Sequence, residues 1–434
     1  MFDLLIKGGH VIDPSRGVNA PKDVAIRRGL IAAVDDDIPH ESSAQVISAD
    51  GQYVTPGFID FHTHVYSGVT SGINPDRLAA ATGVTTWLDA GSSGATTVQG
   101  LRDYVVDRSQ VRILALLNIS SIGGVGHFYP YERLEWCDPR KLEIMARKHN
   151  DLVVGVKVQL GQPFTSRHGM EVMKRAREAA DRCGLPLMVH ICWSPPDLLE
   201  AIELMRPGDI LTHAFTGLSM RVVDKKGRLF PFVREAFESG IVCDVGHGAG
   251  SFSFPVAEAA LEQGYFPDTI STDIHQFSVN GPMFDLPTVM SKFLAIGMDL
   301  RSVVEAVTAK PAELLGLDKE IGSLRPGHRA DISIFEIRRG RFDFYDSQHE
   351  HRAGEQLITP TATLRNGRIL QAEVPPQPSP TLDLTGAQKT YHERLRQAVM
   401  EPAIIGLQKS EDFGPATPPE RDEDESAHER STEN

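Results

Sequence analysis

The chain has 434 residues, 41% of them hydrophobic and 24% charged, with a formal net charge of −14. That length holds one large domain plus a smaller one, and the composition is that of a soluble globular enzyme. The acidic balance argues against a nucleic-acid partner, and no uninterrupted apolar run is long enough to cross a bilayer.

The charge is unevenly placed. Residues 410–434 carry nine acids against two bases, so −7, half the total, sits in the last 25 residues. The remainder is only mildly acidic, and its charge says little about substrate. Cys137, Cys183, Cys192 and Cys243 show neither metal nor redox spacing, which suits a reducing compartment. The first residues hold an acid, Asp3, and reach Gly8-Gly9 too early for the apolar segment of a signal peptide. A cytoplasmic location is therefore expected.

In chain order, residues 2–55 read as short strands with tight turns. The stretches 4–13 and 23–32 each place a glycine-containing turn between apolar segments, as hairpins do. This segment is too short for a core of its own. Residues 320–370 carry similar signals, with Asn366-Gly367 a strong hairpin-turn dipeptide. The two ends of the fold are thus expected to meet in a small β-sandwich domain, formed by 1–55 and 316–374.

Between them, over 56–315, strand-like and helix-like segments alternate. Candidate strands are 57–62, 84–89, 112–119, 153–159, 186–190, 210–213, 241–245 and 269–273. Helical patterns are clearest at 170–183 and 197–205. Eight such repeats in this length predict an α/β fold, a closed (β/α)8 TIM barrel. An open doubly wound sheet fits less well, because no glycine-rich dinucleotide loop follows the first strand. From 375 to 434 a Pro-rich linker leads into an acidic tail expected to be disordered.

The chemistry gathers at the strand ends. Lys157 lies within the apolar run 152–160, where an unpaired ammonium is costly. Strand side chains alternate with period two, so His62 and His64 point the same way and form a ready metal pair. His190 ends the fifth candidate strand, His213 the sixth and Asp273 the eighth. In a barrel those ends converge on one mouth, the usual place of its active site. These six residues make a two-metal hydrolase site if carbon dioxide carboxylates the lysine amine, because a carbamate is anionic and can bridge two cations.

On these residues the chain resembles the amidohydrolase superfamily of metal-dependent hydrolases. The resemblance rests on Pro56-Gly57-Phe58-Ile59-Asp60-Phe61-His62-Thr63-His64, on Lys157, His190 and His213, on Ser271-Thr272-Asp273, and on the stretch from Gly322 to Asp331. It spans about residues 2–370. Within the superfamily the chain looks closest to the deacetylase-like branch near the dihydroorotases, from the lysine position, Val189-His190-Ile191 and Asp273-Ile274-His275. The resemblance implies two divalent metals, zinc by ligand type. His62 and His64 would hold the more buried one with Asp273, and His190 and His213 the more exposed one. N6-carboxylated Lys157 would bridge both.

Two cations about 3.5–4 Å apart would acidify a shared water, and the bridging hydroxide would attack a carbonyl polarised by the exposed metal. Asp273 would serve as general base and then general acid. The resemblance thus implies a deacetylase-like amidohydrolase cleaving an amide or ester acyl group from a small molecule. Alternatives are a cyclic amide hydrolase of dihydroorotase or hydantoinase type, or a non-catalytic scaffold of the same fold. Dihydroorotases place an arginine two residues after the second histidine of the first pair, where this chain has Tyr66. That favours acyclic substrates. Candidate substrate contacts are His127, His247, Ser251 and His275, whereas Trp193 and Tyr66 read as packing residues. Partners are expected to be limited to the small substrate, with neither nucleic acid nor membrane, and association into a homo-oligomer suits barrels of this kind.

Overall fold

The structure, a computed structural model, describes residues 1–371 apart from Thr70, 127–129, 166 and 167. The candidate residue His127 and the whole of 375–434 lie outside the described residues. No helix among the described residues is long and apolar enough to cross a membrane.

Seven parallel strands form one continuous sheet in sequence order: Phe58–Thr63, Val84–Gly94, Arg112–Asn118, Val153–Gln159, Leu187–His190, Ile210–Thr212 and Val242–Asp244. They are buried almost throughout, as strands covered on both faces must be, which is why they read as apolar runs rather than alternating ones. Residues 269–274 close the ring. Thr269 bridges Asp244 on one side and Ile274 bridges Thr63 on the other, both in parallel. This eighth segment looks like a regular strand in sequence but pairs only at these points. Asp273 takes a left-handed φ of 50°, which turns the backbone out of the ladder.

Below the mouth the barrel interior is filled by Phe61, Leu88, Leu114, Leu116, Met188, Ile210 and Val242. Helices cover the outside. In Met170–Cys183 the buried residues Val172, Met173, Ala176, Ala179 and Ala180 recur at helical spacing, and Gly184 ends the helix in a left-handed turn. Leu198–Glu203 is opened by a capping box between Asp197 and Glu200.

The two ends of the described chain share one mixed eight-stranded sheet. Its path runs Arg368–Ile369, His351–Arg365, Ile332–Tyr345, Tyr53–Pro56, Leu4–Asp13, Val18–Arg27 and Leu30–Asp35, with Val46–Ser48 paired to Leu4–Asp13 beside it. Leu4, Ile6, Val24, Ile26, Ile332 and Leu364 belong to its separate core. One expected turn is absent. Leu4–Asp13 is a single strand, and Gly8-Gly9 forms a bulge where the register with Val18–Arg27 shifts. Asn366-Gly367 does make a hairpin turn, with φ of 48° and 72°.

Candidate active site

His62 and His64 leave the first barrel strand on one side, and each ring is fixed from behind. His64 Nδ1 lies 2.8 Å from Ser92 Oγ. His62 Nδ1 lies 2.7 Å from Thr212 Oγ1, and that hydroxyl donates to Asp244 Oδ2 at 2.6 Å. Asp244 also accepts from Thr269 Oγ1 and Ser271 Oγ, at 2.5 and 2.7 Å. Its oxygens therefore orient the hydroxyl of Thr212 so that His62 must carry its proton on Nδ1. His213 Nδ1 donates to the carbonyl of Gly246 at 2.5 Å. Both His62 and His213 thus present a bare Nε2 to the mouth.

These atoms converge. His62 Nε2 and His64 Nε2 lie 3.4 and 3.2 Å from Asp273 Oδ1, and His213 Nε2 meets His190 Nδ1 at 2.7 Å. His62, His213 and Asp273 bring one donor atom each within 4.8 Å of one another. Asp273 Oδ1 is buried and has no hydrogen-bond partner, and neither does His190 Nε2. Lone pairs crowded against a buried carboxylate oxygen repel one another unless a cation lies among them. The donor set and its outer hydrogen bonds fit a divalent metal.

Electrostatics point the same way. Burial holds His62, His190 and His213 below the usual imidazole range, His213 at about 4, so the rings are neutral and able to ligate. Burial pushes Asp273 up, but His64, His275 and His213 outweigh it and keep the carboxyl ionised. Behind it, Asp60 accepts from the Thr272 amide and hydroxyl at 3.0 and 2.6 Å, which fixes the residue preceding Asp273. Burial lifts Asp60 to about 7 against those hydrogen bonds.

Lys157 is 1% exposed, with Nζ 3.1 Å from His62 Nε2. Burial lowers its amine to about 8, against the pull of Asp273, Asp244 and Asp89. Room for this side chain comes from Gly91, whose φ is 93°; a Cβ there would stand 2.7 Å from Lys157 Cγ. Gly246 is similarly constrained, since its Cβ would meet Thr212 Oγ1 at 2.5 Å and the Nδ1 atoms of His213 and His62 at 2.9 and 3.0 Å.

Above these groups lies a cavity of about 160 Å³. His64, His190 and Asp273 reach it, and Phe164, Trp193, Leu218 and Phe277 supply apolar wall. Of the candidate substrate contacts, His275 and Ser251 line it. His275 Nδ1 accepts from the Phe277 amide at 3.1 Å, which leaves the proton on Nε2, 4.0 Å from Asp273 Oδ2. His247 does not line the cavity: it is fully buried, and its Nε2 turns away to Lys292 Nζ at 2.7 Å. A glycine-rich loop leaves the direction of such a ring open, and the buried ammonium decides it. Trp193, expected only to pack, lines the wall.

Sequence reasoning missed Asp244, Thr212, Ser92, Asp60 and Gly91. Asp244 ends the seventh strand, so the strand-end argument that selected His190 and His213 applies to it equally.

Residues 53–369 match the model of the amidohydrolase family. The chain belongs to the amidohydrolase family. This amidohydrolase is 38% identical over 336 residues to a deacetylase of Agrobacterium fabrum, covering 76% of this chain and 82% of that one. A solved structure described as an adenine deaminase superposes with a TM-score of 0.80 at 33% identity, covering 85% of this chain and 99% of that one. One described as a dihydroorotase gives 0.78 at 32% identity, covering 85% and 97%. The chain is thus a deacetylase-like hydrolase of the amidohydrolase family, with the family's barrel.

Proposed function

We propose that this amidohydrolase is a binuclear metal-dependent deacylase that removes an acyl group from a small amide or ester. The observation that carries the reading is the shared orientation of His62 and His213, with Nδ1 tied behind and Nε2 facing Asp273 or His190. His62 and His64 would hold one divalent cation with Asp273, and His190 and His213 the other, zinc suiting such ligands. Lys157, as an N6-carboxylysine, would serve both. An amine lowered to about 8 is about one-tenth neutral at pH 7, far more than an ordinary lysine. The neutral form is the one that adds carbon dioxide with loss of a proton.

When bound, such cations polarise the scissile carbonyl and acidify water. Asp273, anionic and buried, accepts the proton of the attacking water and returns it to the departing nitrogen or oxygen. His275 Nε2–H faces the same carboxylate and can hold the substrate's polar group. The apolar wall takes the body of the substrate and excludes water.

Similarity to a dihydroorotase favours ring opening as the second reading. Against it, no lysine or arginine lies among the described residues lining the cavity, where a ring substrate's carboxylate would need one. Metal-loaded protein offered N-acyl, O-acyl and cyclic amides should release carboxylic acid from the acyclic compounds. Turnover of ring amides alone would establish the second reading, and inertness toward all three would defeat both.

A further inference from the structure

A second cleft, of about 700 Å³, opens between the turns of the small domain and the approach to the third barrel strand, and shares no lining residue with the first. Arg28, Arg329, Arg365 and Arg368 line it, and Asp3 is the sole acid among its described lining residues. Four guanidinium groups in one cleft are unusual in a chain whose net charge is −14.

The nearby carboxylates are already committed. Asp3 Oδ2 accepts from the Arg28 backbone amide at 2.5 Å. Asp331 accepts from Arg112 Nη1 at 3.1 Å and from the Asn366 amide at 2.8 Å. Glu320 stands 4.0 Å from Arg329 Nε. Arg365 gives one Nη1 hydrogen bond to the Gln110 carbonyl, but its Nε is buried without a partner. Burial disfavours its charge against the pull of Asp331, and Arg112 and Arg329 add repulsion that Asp76 opposes. A half-buried guanidinium among like charges, with its buried Nε left unpaired, favours an anion in the cleft.

The geometry points to a binding site for a small, multiply charged oxyanion, of the phosphate or pyrophosphate type, separate from the reaction centre. Guanidinium forks match such oxygens in pairs.

Calorimetric titration of the full chain with sodium pyrophosphate, at fixed ionic strength, tests this. One saturable site is expected in the wild type, weakened about tenfold or more in Arg365→Gln and in Arg28→Gln, each losing a charge-assisted contact. Hydrolysis of the acyl substrate should persist in both variants. Arg28 is exposed, so its variant carries the test even where Arg365→Gln fails to fold. Absence of saturable uptake overturns the proposal. So does uptake undiminished in the arginine variants, the result expected if pyrophosphate binds only at the barrel mouth.

Discussion

The hydroxyl of Thr212 holds the ring of His62 in one tautomer, with Oγ1 and Nδ1 2.7 Å apart. Its own proton is engaged by Asp244, so it can only accept. Thr212→Val keeps the shape and removes this contact. Metal affinity should fall about 10- to 100-fold, the usual cost of losing an outer hydrogen bond to a ligand. Competition with a chelator measures it, and unchanged affinity would mean that the tautomer is set elsewhere.

Gly91 makes room for Lys157. Gly91→Ala places a Cβ 2.7 Å from Lys157 Cγ and 2.8 Å from its Cβ, on backbone with a φ of 93°. The positive φ alone costs about 1–3 kcal/mol, and the displaced lysine should cost most of the activity. Denaturant titration and kcat read the two effects separately. A variant with wild-type stability and turnover would show that the strand yields without disturbing the lysine.

Asp273 is expected to act on protons more than on holding the site together. Asp273→Asn keeps an oxygen donor but gives up the base. Turnover should drop by about 10²–10⁴ while most of the metal is retained. Near-normal kcat in that variant would remove Asp273 from the proton path.

Lys292 gives a pH-dependent signature. Its ammonium donates to His247 Nε2, Pro282 O and Tyr345 O at 2.7, 2.8 and 2.7 Å, tying the loop after the seventh strand to the long hairpin of the small domain. Burial lowers it from 10.5 to about 7, against the pull of Asp346 and Asp285. Between those two values the unfolded chain binds more protons than the folded one, so this group makes stability rise with pH across that window. Lys292→Met should flatten the rise. Unfolding free energies at several pH values within the window would show it, and parallel wild-type and variant curves would contradict it.

What the sequence disclosed follows from which properties are local. Period-two alternation is local, so His62 and His64 could be placed on one side of a strand without a structure. Strand ends meet at one mouth in any barrel, so His190, His213 and Asp273 could be brought together with Lys157. The outer hydrogen bonds were hidden, because the link from Asp244 through Thr212 to His62 spans three strands. Gly91 looks like a turn residue in Asp89-Ala90-Gly91-Ser92 until Lys157 appears against it. Gly8-Gly9 suggested a turn, yet glycine serves a bulge as readily. The direction of His247 depends on Lys292, 45 residues away, and no window of sequence carries that.

Two cations and a carboxylated Lys157 are proposed to work together at the barrel mouth. Metal-free protein titrated with zinc in the presence of bicarbonate, with hydrolysis followed at each addition, tests this most directly. Activity should climb to a plateau at two equivalents per chain, and Lys157→Ala should not reach it. Full activity at one equivalent or fewer would contradict the claim.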